Sequence, residues 1–335
     1  MLDGTTLRPA VEAKLKSLSK EFESLRNMTE GVPWCAKYWW PDDDESDGEG
    51  RYVTFEDWMR VDAMYRSRAL EFPGIGDAMV PCIDMCNHAA DDSTSALYET
   101  DSNGNAVLLL RDGKNTAKGD EITITYGDKK GACEMIFSYG FLESSVTSAK
   151  ELFLDLHIPE DDPLGVAKMH VSSSAPGVRI FDGAIPEKEE SAGWDSDFVW
   201  VMCVNEEDGL SFRVLQTTDG RRELKTTWKG EELPDVSKLK QLLETDSMWE
   251  VFQLRAVTLI QDRVETQLQE VEEAKEHEGA TQIRQRVAVL ALKLRALEAA
   301  LLRNASSSLE AQKQALAETD VVKNYLATFA EDDFT

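Results

Sequence analysis

Hydrophobic positions recur at three- and four-residue spacing over residues 9–27. Val11, Leu15, Leu18, Phe22 and Leu25 share one face, which predicts an amphipathic helix. Trp34, Trp39 and Trp40 follow as an aromatic patch, and then comes the acidic run PDDDESDGEG at 41–50, which reads as a solvated loop. A second helix is predicted over 54–70, with Thr54 as its N-cap and Asp57 three residues on. From 72 to 127 the period shortens to two. Pro73, Gly74 and Gly76 end the helical pattern, and residues 95–99 and 106–111 flank Asn103-Gly104 as the arms of a hairpin. Residues 121–126 (EITITY) alternate, placing Ile122, Ile124 and Tyr126 on one face of a strand entered through Lys118-Gly119-Asp120. A short helix over 132–138 leads into Tyr139-Gly140-Phe141.

Pro159, Asp161, Asp162 and Pro163 read as a break between regions, and 164–235 has no dominant period. From 236 to 327 the pattern is helical. One stripe comprises Trp249, Phe252, Ala256, Ile260, Val264, Leu268 and Val271. A second comprises Ile283, Val287, Leu290, Leu294, Leu297 and Leu301. Two long helices joined by the polar EHEGAT turn should pack antiparallel.

With 335 residues, 42% of them hydrophobic and 30% charged, the chain can bury one large core or two ordinary ones. Lys+Arg total 36 against Asp+Glu 63, a formal net charge of −27. That balance argues against nucleic-acid or anionic-membrane partners, which need clustered cations, and favours a basic one. The five cysteines, Cys35, Cys82, Cys86, Cys133 and Cys203, are scattered and odd in number, which fits a reducing compartment better than a disulfide framework. No 18-residue apolar run or secretory pattern is visible, so an intracellular location, cytoplasmic or nuclear, is expected.

Three strings are candidates for chemistry: Pro81-Cys82-Ile83-Asp84-Met85-Cys86-Asn87-His88, then Glu121-Ile122-Thr123-Ile124-Thr125-Tyr126-Gly127, then Ser138-Tyr139-Gly140-Phe141. Taken singly, each also reads as an ordinary turn or strand end. Arg68 at a helix C-terminus suits either the helix dipole or an anionic ligand. Cys82 and Cys86 are spaced C-x₃-C, and neither Cys133 nor Cys203 completes a zinc quartet, so no metal is expected. His157, His170 and His277 have no partner pattern.

In this order and spacing the strings resemble SET-domain protein-lysine methyltransferases, in the branch of Rubisco large-subunit methyltransferase. That branch has Pro-x-x-Asp-x-x-Asn-His, a strand ending in Tyr-Gly, and a short helix into Tyr-Gly-Phe. Arg66-Ser67-Arg68-Ala69 is similar to its Ser-Arg signature, and Leu2-Asp3-Gly4-Thr5-Thr6 to the lead into its helical insert. The resemblance implies an α+β class: an incomplete SET fold of small curled β-sheets with a helical insert, followed by a mostly α-helical domain. Residues 1–76 would be the insert region, 77–150 the C-terminal SET core and 151–335 a substrate-binding-like domain. It implies S-adenosyl-L-methionine as cofactor, held by Arg68, Asn87, His88 and Phe141. Tyr126 would be the catalytic tyrosine, and Tyr139 would line the channel for the lysine of a non-histone protein substrate. The Asn-His and Tyr-Gly segments would thread past each other in a knot-like crossing.

The sequence departs from the branch at one place. The branch's N-terminal strands with Gly-x-Gly have no counterpart here, since Gly48-Glu49-Gly50 and Gly74-Ile75-Gly76 follow no strand pattern. The expectation is a shortened chain of weak or no activity. The alternative is a non-catalytic protein-interaction chain of SET descent.

Overall fold

The computed structural model describes residues 1–40, 53–72, 74–127, 130–183, 193–216, 220–274 and 285–332. The acidic run at 41–50 and the EHEGAT turn, with Ile283, lie outside the described residues. The described chain is of mixed α+β class and forms two compact units: Leu7–Lys130 with Glu134–Leu142, and Met1–Thr6 with Gly131–Cys133 and Glu143–Thr335.

The first unit opens with helix α1 (Leu7–Thr29), which buries Leu7 and Leu18, and the short α2 (Pro33–Tyr38), with Pro33 in its first turn. Helix α3 (Phe55–Arg68) starts on the expected Thr54. The Thr54 hydroxyl accepts from the Asp57 amide at 3.2 Å, and the Asp57 carboxylate accepts from the Thr54 amide at 3.1 Å. This reciprocal cap satisfies two of the helix's otherwise orphan N–H groups. Asp62 ties α3 to α1 by accepting from Lys14 at 2.8 Å, and it pairs with Arg66 one turn on at 2.7 Å. Burial opposes the Asp62 charge, but these two cations outweigh it and hold the carboxyl below its ordinary value.

Short strands follow. β1 (Leu70–Phe72) pairs antiparallel with β2 (Gly76–Ala78), and β3 is the dipeptide Asn87–His88. β4 (Ala96–Thr100) and β5 (Ala106–Leu110) form the expected hairpin. Its connection is the five-residue loop 101–105. Asp101 Oδ1 accepts from the Asn103 and Asn105 amides, both at 2.8 Å, and Gly104 takes φ +79°, the left-handed position that such loops require. β6 contains only Thr123–Ile124, although a six-residue strand is expected over 121–126. The predicted facing still holds: Ile124 is buried in a core with Leu70, Phe72, Ile83 and Ala96, while Ile122 and Tyr126 pack against it. β6 pairs in parallel with β3, with Asn87 opposite Thr123 and His88 opposite Ile124. Helix α4 (Ala132–Tyr139) then carries the chain to Phe141.

In the second unit the sequence without a dominant period resolves into two small antiparallel sheets. β7 (Glu151–Asp155), β8 (Gly177–Phe181) and β9 (Trp194–Asp195) form one. β10 (Leu210–Gln216), β11 (Arg222–Trp228) and β12 (Glu231–Glu232) form the other. Between β7 and β8 lies α5 (Gly165–Val171), and after β9 lies the buried α6 (Phe198–Met202). Helices α7 (Leu239–Glu244), α8 (Trp249–Glu273), α9 (Gln285–Ala317) and α10 (Asp320–Asp332) complete the unit.

The stripe positions Phe252, Ala256, Ile260, Val264 and Val271 of α8 and Leu294, Leu297 and Leu301 of α9 are buried. Arg303 pairs with Glu272, Ser306 reaches Glu265, and Gln261 reaches Glu310, so residue numbers rise on one helix as they fall on the other. That is the expected antiparallel packing. The peptide Met1–Thr6 lies against this pair. Arg295 donates to the carbonyls of Met1 and Asp3, Gln267 to that of Gly4, and the buried Glu298 accepts from the Thr6 amide and hydroxyl. No helix among the described residues is long and apolar enough to cross a membrane.

Candidate active site

The parallel pairing of β3 with β6 brings two of the three singled-out strings side by side, and α4 delivers the third. A two-residue parallel ladder is weak by itself, so side chains must pin it. The Tyr126 amide donates to His88 Nδ1 at 3.1 Å, the Tyr126 hydroxyl donates to the Cys86 carbonyl at 2.8 Å, and the Ala89 amide donates to the Ile124 carbonyl at 3.0 Å. Because His88 Nδ1 accepts, a neutral His88 ring carries its proton on Nε2. Asn87 Nδ2 donates to Glu121 Oε1 at 2.5 Å, adding a side-chain clasp at the start of the same crossing.

Four of the predicted side chains form one aromatic group. Tyr126 and Tyr139 lie 4.5 Å apart between centroids at an angle of 30°. His88 stands 5.1 Å from Tyr126 and 5.9 Å from Phe141, and Phe141 is 6.4 Å from both tyrosines. Offset and tilted pairs at these distances are attractive and hold the rings in one arrangement. The Tyr139 hydroxyl donates to the Tyr126 carbonyl at 3.3 Å, so α4 is tied to the strand it faces. Arg68, at the end of α3, donates to the Asp84 carbonyl at 3.2 Å and to Met85 Sδ at 2.9 Å, and its charge is felt at Tyr126. The structure therefore gathers Arg68, His88, Tyr126, Tyr139 and Phe141, and Asn87 sits at their edge with its amide turned to Glu121.

Burial pushes the Tyr126 phenol above its ordinary value. Tyr139, Cys86 and Glu121 add to the push, and Arg68 opposes it. Burial does the same to Tyr139, against the nearby Lys130. Both phenols are therefore neutral hydroxyls at physiological pH, able to orient a ligand's N–H or lone pair without presenting an anion. The Cys86 thiol is also raised by burial, with Asp84 and Cys82 adding to it, which keeps it a poor nucleophile. Asp84 Oδ1 is buried with no hydrogen-bond partner among the described residues, an orphan polar atom in the loop that Arg68 grips. No group of three or more His, Cys, Asp or Glu side chains among the described residues is placed to hold a metal ion.

Three contributors received no role from the sequence. Glu121 opens the EITITY string, but its bond to Asn87 exists only because the two strings cross. Lys130 and Glu134 form an ion pair beside Tyr139, with the Lys130 ammonium 6.0 Å from the Tyr139 ring. Their i,i+4 spacing on a predicted helix start is the signal that could have found them.

No family model matches the chain. It is 28% identical over 245 residues to SET domain-containing protein 8 of Schizosaccharomyces pombe, covering 72% of this chain and 51% of that protein. The chain thus spans about half the length of this curated relative. The SET domain of LSMT, solved with methyllysine and AdoHcy bound, superposes with a TM-score of 0.59 at 18% identity over 94% of this chain and 66% of that one. Rubisco LSMT bound to AdoMet gives 0.59 at 17% identity over 95% and 66%. The fold is that of these SET domains.

Proposed function

We propose that this chain, which has the fold of the LSMT SET domains and shares sequence with a fission-yeast SET-domain protein, is a protein-lysine N-methyltransferase that uses S-adenosyl-L-methionine. The reading is carried by the crossing of Asn87–His88 with Thr123–Ile124, which sets the Tyr126 phenol beside His88, Tyr139 and Phe141. It is supported by the LSMT structures that hold AdoMet, or AdoHcy with methyllysine, on this fold.

The residues suit the cofactor chemically. Arg68 offers a guanidinium to a carboxylate, Phe141 and His88 offer ring faces to an adenine, Asn87 offers amide hydrogen bonds to the adenosyl part, and the orphan Asp84 oxygen lies in the loop beside Arg68. When bound, S-adenosylmethionine supplies a sulfonium methyl group open to in-line displacement by a neutral amine.

The chain's own contribution is to position and desolvate that amine. A lysine with a pKa of about 10.4 costs roughly 4–5 kcal/mol to deprotonate at neutral pH. A dry aromatic site lowers that cost, because burial disfavours the ammonium. The Tyr126 hydroxyl donates to Cys86, so its oxygen lone pairs remain to accept from the amine. As a neutral phenol it does so without a negative charge that would hold the proton on. Tyr139 lines the same aromatic group and fixes the lysine's approach. The substrate in this reading is a non-histone protein with an exposed lysine, drawn in by the −27 net charge.

The test is a calorimetric titration of the purified chain with S-adenosylmethionine. Micromolar binding that disappears in Asn87→Ala is the expected result. Absence of heat with the unmodified chain would overturn the enzyme reading in favour of a non-catalytic protein-contact role. Radiolabelled methyl transfer to proteins of a histone-free extract is expected to exceed transfer to purified core histones, and the reverse order would overturn the non-histone assignment.

A further inference from the structure

The β4–β5 hairpin has one covered edge and one open edge. On the covered side the Ser95 hydroxyl accepts from the Thr123 amide at 2.8 Å, and the Ser95 amide donates to the Thr123 hydroxyl at 3.2 Å, so the start of β4 lies against β6. β5 pairs with β4 and with no other strand among the described residues. Its register shows which of its groups point outward. The Arg111 amide donates to the Ser95 carbonyl at one end, and the Asp101 amide donates to the Asn105 carbonyl at the other. Between these two bonded pairs the residues alternate, so the N–H and C=O groups of Ala106, Leu108 and Leu110 face away from β4. None of these groups has a backbone partner among the described residues.

The side chains extend the open edge on both faces. Ala106, Leu108 and Leu110 stand on the face that carries Ala96 and Tyr98 to the core. Ala96 is 1% exposed, whereas Leu108 is 36% and Leu110 48% exposed, so the core-facing apolar surface continues past the last strand. On the opposite face Leu109 is paired with Leu97, and both are exposed. Soluble proteins blunt such an edge with Lys, Pro or a bulge, and β5 (AVLLL) carries none of these.

The same residues select the strand that would cover it. A neighbour with polar residues on either face would set them against leucine, because β5 is apolar on both. A second β5 does not. Run antiparallel about Leu108, Ala106 lies opposite Leu110, Val107 opposite Leu109 and Leu108 opposite its own copy, and the outward-facing pairs exchange both hydrogen bonds. In that register Arg111 of each copy lies opposite Asn105 of the other, on the face where Asn105 Nδ2 donates to the Asp101 carboxylate at 3.0 Å. A cation therefore meets an anion at both ends of the strand pair. A shift of two residues sets Arg111 opposite Val107, or Leu110 opposite Gly104, and loses the match.

We propose that the open edge of β5 pairs with β5 of a second copy of this chain, giving a continuous four-stranded antiparallel sheet about a two-fold axis at Leu108. This pairing is independent of the function proposed above. A contact of five residues a side is small, so the dimer is reversible and forms with rising concentration.

Sedimentation equilibrium of the full chain from about 5 to 500 μM should show the average mass rising from one chain towards two. Backbone hydrogen exchange on the same samples should slow at Ala106, Leu108 and Leu110 as concentration rises, since a second strand covers those amides. Leu108→Lys and Leu108→Glu should each lose the dimer, because like charges then face each other across the axis, and mixing the two in equal amounts should restore it. Leu242→Lys, which replaces an exposed leucine of α7, should dimerise like the unmodified chain. A monomer throughout the range would overturn the proposal. So would a dimer whose exchange at 106–110 is independent of concentration, since another surface would then hold it. Undiminished dimers in either Leu108 variant alone, no recovery on mixing, or equal loss in Leu242→Lys would overturn the pairing about Leu108.

Discussion

The Tyr126 amide donates to Nδ1 of His88 across 38 residues of chain, at 3.1 Å. This bond and the Tyr126 hydroxyl bond to Cys86 lock a ladder only two residues long, and they place the phenol that the proposed chemistry needs.

Tyr126→Phe removes the hydroxyl and keeps the ring stack with Tyr139. Methyl transfer should fall about a hundredfold or more while S-adenosylmethionine affinity changes little, because the lost contact serves the amine. Kinetics and calorimetry on one preparation decide this. Equal loss of both quantities would make Tyr126 a purely structural residue of the crossing.

Glu298 is fully buried, and desolvation, only partly countered by the two Thr6 hydrogen bonds, pushes its carboxyl up to about 7 from an ordinary 4.5. Between those values the folded chain keeps a proton that the unfolded chain releases. Stability from this group is therefore fully present below about 4.5 and lost as pH rises through about 7, by roughly 3 kcal/mol at most. The urea midpoint of the unmodified chain should fall between pH 5 and pH 8 relative to Glu298→Gln. Parallel pH profiles for the two proteins would contradict this.

Lys168 is 1% exposed, and its ammonium is held by Asp162 at 2.6 Å and the Met202 carbonyl at 3.4 Å. Asp162→Ala strands a buried cation and also removes the Asp162 hydrogen bond to the Leu164 amide, so it should cost about 3–5 kcal/mol. Lys168→Met, which removes the charge and fills the same space, should cost much less. Chemical denaturation of both variants gives the order, and equal costs would mean that the pair is effectively solvated.

Gly4 has φ +76°, and a Cβ there would lie 2.2 Å from the Glu270 carbonyl oxygen. Gly4→Ala meets both the left-handed backbone penalty and a collision with main chain, so a loss of about 2 kcal/mol or more is expected. A thermal unfolding midpoint unchanged from the parent would show that residues 1–6 do not need to lie against α8.

Much of the architecture was legible because it is local. The Thr54–Asp57 cap, the hairpin around Gly104, and the facing of Ile122, Ile124 and Tyr126 each depend on residues a few positions apart. The α8 and α9 stripes repeat one helical period many times over. The two sheets between 151 and 232 were not legible. Their strands are short and pair across long intervals, so they leave no sustained period. Within the candidate site the residue types and their order could be read from the sequence. Glu121 acquires meaning only through Asn87, a neighbour that the fold supplies.

The sequence by itself determined the Thr54 cap, the hairpin around Gly104 and the helical stripes of α8 and α9, because periodicity and capping act over one or two turns of chain. Only the tertiary structure decided that Asn87–His88 lies along Thr123–Ile124, that Tyr126 shares a site with Phe141, and that Glu298 and Lys168 are buried. Such pairings are set by which packing excludes the most water while leaving polar groups satisfied, a competition over the whole chain that no short stretch encodes.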